Sequence, residues 1–204
     1  MFDTTPLYRS PFEGHAPGTQ AAADGSVGVH VHAGMLSQVT QISTWGSGID
    51  ALCQQLHTAL GQPVPAHTGQ TQATALGLCL RTGPQEFLLV NESGTPTAIN
   101  TTALLRQHIA ADVGSVADLS HARCQISIEG PQCLATLGKL FALDFRAAAF
   151  PAGEVKLSGT HHMPCALLRT GPHSFVLYAF STYAFDTLAT LMDAAREYGV
   201  RLSR

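Results

Sequence analysis

The chain has 204 residues and a formal net charge of −3, and 12% of its residues are charged, about half of the usual ~25%. Its length allows one large domain or two fused halves, and its 45% hydrophobic content excludes a disordered protein. The lack of a basic balance argues against a nucleic-acid partner. A weakly charged surface is typical of a subunit that lies inside a larger assembly.

The compartment follows from the N-terminus and the cysteines. The N-terminus has neither the basic start nor the apolar stretch of a signal peptide, and no apolar run approaches the ~18 residues that span a membrane. The five cysteines are widely spaced and form no Cys-x-x-Cys pair (Cys53, Cys79, Cys124, Cys133, Cys165). We therefore expect a cytoplasmic protein with reduced thiols and no membrane partner.

The first part of the chain predicts an arm, then strands and helices. Residues 1–28 are rich in Ala, Gly, Pro and Thr and predict an irregular arm. After the arm, hydrophobic spacing predicts a strand at 38–44, a helix at 49–60 capped by Ser47, a polar loop at 61–74, a hairpin at 75–81 and 86–90, a turn at 91–94, and a short helix capped by Thr101 or Thr102.

The second part predicts the same order of elements. The pattern gives a strand at 123–129, a helix with Pro131 at its first position, a strand at 154–160, a hairpin at 165–170 and 174–180, and a helix capped by Ser181 that ends before Gly199. Hairpins imply antiparallel pairing, so the predicted fold class is α+β.

A repeat connects the two parts. Residues 80–89 (LRTGPQEFLL) recur at 168–177 (LRTGPHSFVL), and Gln41-Ile42-Ser43 recurs as Gln125-Ile126-Ser127 with an offset of 84. In each copy an apolar strand leads into Arg-Thr-Gly-Pro and another leads out. We predict an internal duplication with halves at 29–115 and 116–204 that form one compact unit.

Two patterns suggest binding sites, each with a simpler structural explanation. Gly46-Ser47-Gly48 lies between a strand and a helix, but it lacks the third glycine of a dinucleotide loop. His30 and His32 would share one face of a strand, as two metal ligands do, with His121, His161 or His162 as a distant third ligand. An ordinary loop and a polar strand face are the simpler interpretations.

The sequence also offers little for catalysis. It contains no nucleophile elbow, and the cysteines lie on predicted core faces. On a strand, Asp118 and Ser120 would point to one side and His121 to the other, so these three residues do not form a triad. Arg81 and Arg169 each precede Thr-Gly-Pro, which predicts a structural role in closing the hairpin through carbonyls or a carboxylate; anion binding is the alternative.

The residues from Val116 onward resemble a known family. The runs VADLSHAR (116–123) and ISIEGP (126–131) are similar to a signature of the aminomethyltransferase (glycine-cleavage T protein) folate-binding fold. The runs Leu143-Asp144 and Phe150-Pro151-Ala152-Gly153 resemble gamma subunits of heterotetrameric sarcosine oxidases. The matched positions, for which we expect structural roles, are Asp118, Ser120, His121, Arg123, Gly130, Pro131, Asp144, Phe150 and Gly153, together with Arg81, Gly83, Arg169 and Gly171 of the repeats.

This resemblance implies a non-catalytic subunit of a complex that demethylates sarcosine to glycine and passes the one-carbon unit to tetrahydrofolate. Its partners would be alpha, beta and delta subunits, and FAD, FMN, NAD and tetrahydrofolate would bind outside this chain. Three alternatives remain open: a stand-alone folate-binding protein, a subunit of a related N-methyl amino acid dehydrogenase, and a small transferase that uses Asp118 or Glu129.

Overall fold

The computed structural model describes residues 10–92, 99–160 and 163–204, which contain twelve strands and four helices. The elements up to residue 108 are β1 (Gly18–Gln20), β2 (Val29–Gly34), β3 (Gln38–Thr44), α1 (Ile49–Leu60), β4 (Thr71–Thr74), β5 (Gly77–Gly83), β6 (Glu86–Asn91) and α2 (Thr101–His108). The later elements are β7 (Gly114–Asp118), β8 (Arg123–Glu129), α3 (Cys133–Leu140), β9 (Val155–Thr160), β10 (Met163–Gly171), β11 (Ser174–Phe180), α4 (Ala184–Ala195) and β12 (Val200–Ser203).

The elements form two sheets with matching strand orders. The seven-stranded sheet has the order β1-β12-β2-β8-β11-β10-β9, and the five-stranded sheet has the order β4-β5-β6-β3-β7. The seven-stranded sheet takes β1 and β2 from the first part of the chain, where β2 pairs with β8, and the five-stranded sheet ends in β7, which pairs with β3. All pairings are antiparallel except that of β12 with β2, which confirms the predicted α+β class.

The two sheets pack face to face between two helical layers. One apolar cluster joins β3, β5 and β6 to β9, β10 and β11, and thus lies between the sheets. A second cluster covers the outer face of the seven-stranded sheet with α3 and α4, and a third covers the five-stranded sheet with α1 and α2. The central strands are therefore buried on both faces, which explains the continuous apolar runs of β6 and β11.

Strand β11 shows how this double burial works. Phe175 and Leu177 pack in the cluster below α3 and α4, whereas Val176 and Tyr178 pack in the cluster between the sheets. Successive side chains of a strand point to opposite faces, so every residue from 175 to 179 is buried.

The division of the chain into halves at 29–115 and 116–204 stays a prediction, although the matching strand orders of the two sheets agree with it. The boundary at residues 115 and 116 falls inside β7. The arm predicted to be irregular contains β1, which pairs with β12, and Phe12, which is buried in the core. Residues 1–9 and most of the predicted turn at 91–94 lie outside the described residues.

The residues predicted to set four helix starts are wrong, although α1 (Ile49–Leu60) has the predicted bounds. The N-cap of α1 is Gly48 and not Ser47, and that of α2 is Asn100, whose side chain accepts a hydrogen bond from the Ala103 amide, and not Thr101 or Thr102. Pro131 lies in a turn two residues before α3 begins. Ser181 opens a 3-10 turn that precedes α4 and makes no side-chain cap. Among the four described α-helices, α2 has a side-chain cap, from Asn100, and the other three have none.

Besides β1, strands β4 and β12 were not predicted. The loop at 61–74 ends in β4, which pairs with β5, and the residues after Gly199 form β12. Strand β4 is mostly polar, and β12, in which buried Val200 and Leu202 alternate with exposed residues, is only four residues long. Among the described helices, none has the length and hydrophobicity of a membrane-spanning segment.

The turn after β8 gives a test of this packing. Gly130 has φ +122°, and a Cβ atom there would lie 2.5 Å from the Gly28 carbonyl oxygen. We expect Gly130→Ala to lower the free energy of unfolding by at least about 2 kcal/mol, because both the backbone and its neighbour would be strained. Urea denaturation measures this loss.

The matched control is Gly138→Ala in α3, where nothing lies within 4 Å of the added Cβ. Alanine favours a helix over glycine by roughly 0.5–1 kcal/mol, so this variant should be as stable as the wild type or more stable. Equal losses for the two variants would contradict the close approach at Gly130.

Candidate functional site

Asp118 organises a turn through its side chain. Its Oδ1 atom accepts hydrogen bonds from the Ser120 amide at 2.9 Å and the Ser120 hydroxyl at 2.6 Å. The Ser120 hydroxyl oxygen accepts a bond from the Val39 amide, which ties the turn to β3. Because β7 ends at Asp118, Ser120 and His121 lie in this turn, and the prediction that they point to opposite sides of a strand is wrong.

The other carboxylate of the motif lies elsewhere. Glu129 is exposed at the far end of β8, opposite His30 and Ser174 on the neighbouring strands. Strand β8 begins at Arg123 and rises about 3.3 Å per residue, which places Glu129 roughly 20 Å from the start of the strand and from the Asp118 turn. Asp118 and Glu129 therefore do not act on the same atom.

Arg123 lies between the sheets, stacked on Phe180 with its guanidinium carbon 3.8 Å from the ring centroid. Burial lowers its pKa, and the charge of Glu86 partly opposes this shift. Glu86 itself accepts hydrogen bonds from Gln41 at 2.6 Å and Thr82 at 2.7 Å. These contacts support the packing of the two sheets, and nothing in the sequence pattern indicated them.

The predicted histidine pair lies on one face of β2, as expected. His32 contacts the Ser203 hydroxyl of β12 at 3.1 Å, and His30 lies opposite Glu129. Among residues 10–92, 99–160 and 163–204, no group of three or more His, Cys, Asp or Glu side chains could hold a metal ion. His161 and His162 lie outside the described residues.

The glycine loop before α1 has a structural explanation for both of its glycines. Gly46 has φ +60°, which a turn requires, and a Cβ atom on Gly48 would collide with the Thr44 hydroxyl. That hydroxyl donates to the Val113 carbonyl at 2.6 Å, so it fastens the corner to the chain before β7. The loop is a structural corner.

Four of the five cysteines are buried thiols with raised pKa values. All five are free, and four of them are buried. Burial raises the pKa of Cys79 and Cys124 to about 12, and that of Cys133 and Cys165 to about 11. Burial also raises the pKa of Cys53, against the opposing effect of Arg81.

Arg169 closes the second hairpin through carbonyls, as predicted. Its Nε donates to Gly171 at 3.0 Å, its Nη1 to Phe145 at 2.9 Å and Phe150 at 2.7 Å, and its Nη2 to Pro172 at 2.8 Å. The side chain is buried, and its guanidinium lies over the Phe175 ring. All three nitrogens therefore have acceptors, which a buried guanidinium requires.

Arg81 closes the first hairpin in a similar but less complete way. Its Nη1 donates to the carbonyls of Pro65 and Ala66, and its Nη2 donates to Pro84 at 2.7 Å. Its Nε atom is buried and has no hydrogen-bond acceptor. Its guanidinium lies 5.3 Å from the Phe87 ring centroid, the same distance as in the Arg169–Phe175 pair.

The remaining motif positions lie in the two hairpins and in the loop before the second hairpin. Gly83 and Gly171 follow the irregularity that the two hairpins share at Arg81 and Arg169. Gly153 has φ +86° and donates its amide to the Arg169 carbonyl at 2.7 Å. The other two are Asp144, which forms an exposed ion pair with Arg146, and Phe150, which is fully buried.

A cavity of about 790 Å³ lies beside Arg81, between α1 and the loop before β4. Its wall combines charged and polar side chains of α1 with the loop residues; the lining includes Asp50, Cys53, His57, Val64, Pro65 and Arg81. Sequence reasoning did not predict this cavity. Its volume lies in the range of small-molecule sites, roughly 300–1,000 Å³.

The comparisons with known proteins identify the fold. The family model of the GCVT N-terminal domain matches residues 62–203. The chain belongs to this family. The crystal structure of the glycine cleavage system aminomethyltransferase T from Bartonella henselae shares the fold, with a TM-score of 0.62 and 15% identity over 86% of this chain and 48% of that chain.

Two relatives match nearly the whole length of the chain. Sarcosine oxidase subunit gamma of Corynebacterium sp. (strain P-1) is 28% identical, and that of Arthrobacter sp. is 29% identical, each over 97% of this chain and 95% of the relative. A chain of the heterotetrameric sarcosine oxidase from Corynebacterium sp. U-96 superposes with a TM-score of 0.79 and 25% identity, covering 94% of this chain and 96% of that chain.

The buried thiols of this family member give a pH prediction. The pKa of Cys124 is raised from 9.0 in a free thiol to about 12 in the fold. Below pH 9 the thiol is neutral in both states, and above pH 9 it ionises in the unfolded chain first. Stability is therefore lost as the pH rises, by up to about 1.4 kcal/mol per pH unit for each such thiol.

Cys124→Ala removes one of these thiols. We expect the urea midpoint of this variant to fall less steeply between pH 9 and 11 than that of the wild type, although the variant is less stable at pH 7. Cys53→Ala is the control, because that thiol is only partly buried. An unchanged slope for Cys124→Ala would show that its thiol is not shielded.

Proposed function

We propose that this chain is the gamma subunit of a heterotetrameric complex of the sarcosine oxidase type, and that it carries no catalytic group. The observation that carries the proposal is the length of the match. Proteins named as this subunit align over 95% of their own length, and a chain of a heterotetrameric sarcosine oxidase superposes over 96% of its length. The aminomethyltransferase is covered over 48%, so the match in length favours the subunit.

The non-catalytic part of the proposal is supported by the side chains of the motif. Asp118 uses its Oδ1 atom within a turn, and Glu129 lies exposed in the other sheet. The thiols are held in their protonated form by burial. An acid–base or nucleophilic mechanism needs such groups to converge on one reacting atom, and these do not.

The complex would oxidise sarcosine to glycine and transfer the one-carbon unit to tetrahydrofolate in the cytoplasm. Alpha, beta and delta subunits would be the partners, and FAD, FMN, NAD and tetrahydrofolate would be bound by them. The role of this chain would be to complete the assembly.

The surface is consistent with an assembled subunit. The three ion pairs of the described residues are exposed and contribute little to stability. Several large apolar side chains remain more than 40% exposed, namely Met35, Trp45, Ile99, Leu157, Tyr183 and Phe185. Partner subunits would shield side chains of this kind from water.

Co-expression tests the proposal. When the chain carries an affinity tag and is expressed with its genomic neighbours, we expect it to be purified in a stoichiometric complex with a flavoprotein, detected by flavin absorbance and by mass. The same complex should oxidise sarcosine. A chain that is purified alone, beside neighbours that assemble into an active oxidase without it, would refute the proposal.

A further inference from the structure

Among the described residues, the position in the second part of the chain that is equivalent to the cavity beside Arg81 is packed with side chains. With the offset of 84 residues that relates the two copies, α1 and α3 begin at equivalent positions, Ile49 and Cys133. Six residues of α1 line the cavity, and three of them, Asp50, Cys53 and His57, correspond to the apolar Leu134, Leu137 and Phe141. A polar wall in one copy is thus an apolar wall in the other.

In the second copy this apolar wall is packed. Leu137 and Phe141 are buried, and Leu134 packs against the same cluster. Two further rings, Phe145 and Phe150, stack on Phe175 with centroid distances of 5.7 and 5.8 Å. Side chains therefore fill the space between α3, the loop before β9 and Arg169.

In the first copy the corresponding loop is four residues shorter and brings Pro63, Val64 and Pro65 in place of aromatic rings. The result is the cavity of about 790 Å³. The second copy fills the equivalent space with side chains, whereas the first copy leaves it open to solvent. An open space of this volume has room for a small molecule.

The charge of Arg81 indicates the chemistry of such a molecule. The hydrogen bonds of its guanidinium go to three neutral carbonyls, and among residues 10–92, 99–160 and 163–204 it forms no ion pair. Of its five N–H donors, the buried Nε–H and one Nη2–H have no acceptor there. Arg169, in contrast, has an acceptor for every nitrogen.

We propose that the cavity between α1 and the loop at residues 63–66 binds a small organic carboxylate, with Arg81 as its counter-charge. A guanidinium suits a carboxylate because both groups are planar and can share two hydrogen bonds. Asp50 on the opposite wall repels a second negative charge, so the ligand is a monocarboxylate. Apolar contacts with Val64 and Pro65 accommodate a short carbon skeleton.

Cys53 provides a reporter inside the cavity, since it lines the wall and is the one cysteine that is not buried. Its thiolate displaces iodide from iodoacetate, which is itself a small carboxylate, and from the neutral analogue iodoacetamide. We expect the iodoacetate-to-iodoacetamide ratio at Cys53, divided by that of a cysteine peptide in the same mixture, to exceed about three, because Arg81 concentrates the anion. Peptide mass spectrometry of the folded full-length chain measures this ratio.

Competition adds a second readout. Acetate should slow the iodoacetate reaction at Cys53 relative to chloride at the same ionic strength. A normalised ratio of one or less in the wild type, or equal rates in acetate and chloride, would overturn the proposal.

Two variants test whether the preference of Cys53 for iodoacetate depends on the cavity. Arg81→Gln should abolish the preference for iodoacetate, but it also removes bonds that hold the loop. The double variant Asp50→Leu/His57→Phe copies the filled wall of the second part at two exposed positions, so it should fold and lose both the preference and the protection by acetate. A folded double variant that keeps both would refute the site.

Discussion

The fold depends on a buried guanidinium that is held by backbone carbonyls. Arg169 lies in β10 and binds the carbonyls of Gly171 and Pro172 in its own hairpin turn, and those of Phe145 and Phe150 in the loop before β9. A buried charge without a counter-ion is stable only when its donors are satisfied, so the turn and the loop must keep their positions together. Their fixed position in turn places Phe150 in the core below α3 and α4.

Arg81 holds the first hairpin in the same way, but a cavity lies on one side of it. This difference distinguishes the two parts of the molecule. Arg81 holds the carbonyls of Pro65, Ala66 and Pro84, yet its wall of α1 is polar and a cavity lies beside it. The second part is sealed and supports the fold. In the proposed complex the sealed part would contribute stability, whereas the first part retains a surface that can still bind.

The sequence predicts most of this architecture, for identifiable reasons. The central strands and hairpins follow from double-faced apolar runs, and the structural role of the arginines follows from their matched position before Thr-Gly-Pro. The bounds of α1 were predicted correctly, but the cap residues were not, because Gly48 and Asn100, not the neighbouring Ser47 and Thr101, occupy the last non-helical position. Strands β1 and β12 were missed because their partners are distant in sequence. The cavity was missed because it is recognised only when α1 is compared with α3, which no local pattern reveals.

The central claim is that both parts of the chain use an arginine bound to backbone carbonyls, and that only the second part packs side chains around it. The unfolding free energies of two matched variants test this claim most directly. Methionine replaces the arginine stem but leaves the carbonyls without donors. Arg169→Met should lower the stability by at least about 3 kcal/mol, and Arg81→Met by about half of that or less, since its carbonyls lie nearer to water and to the cavity. Equal losses in urea denaturation, or a larger loss for Arg81→Met, would contradict the account.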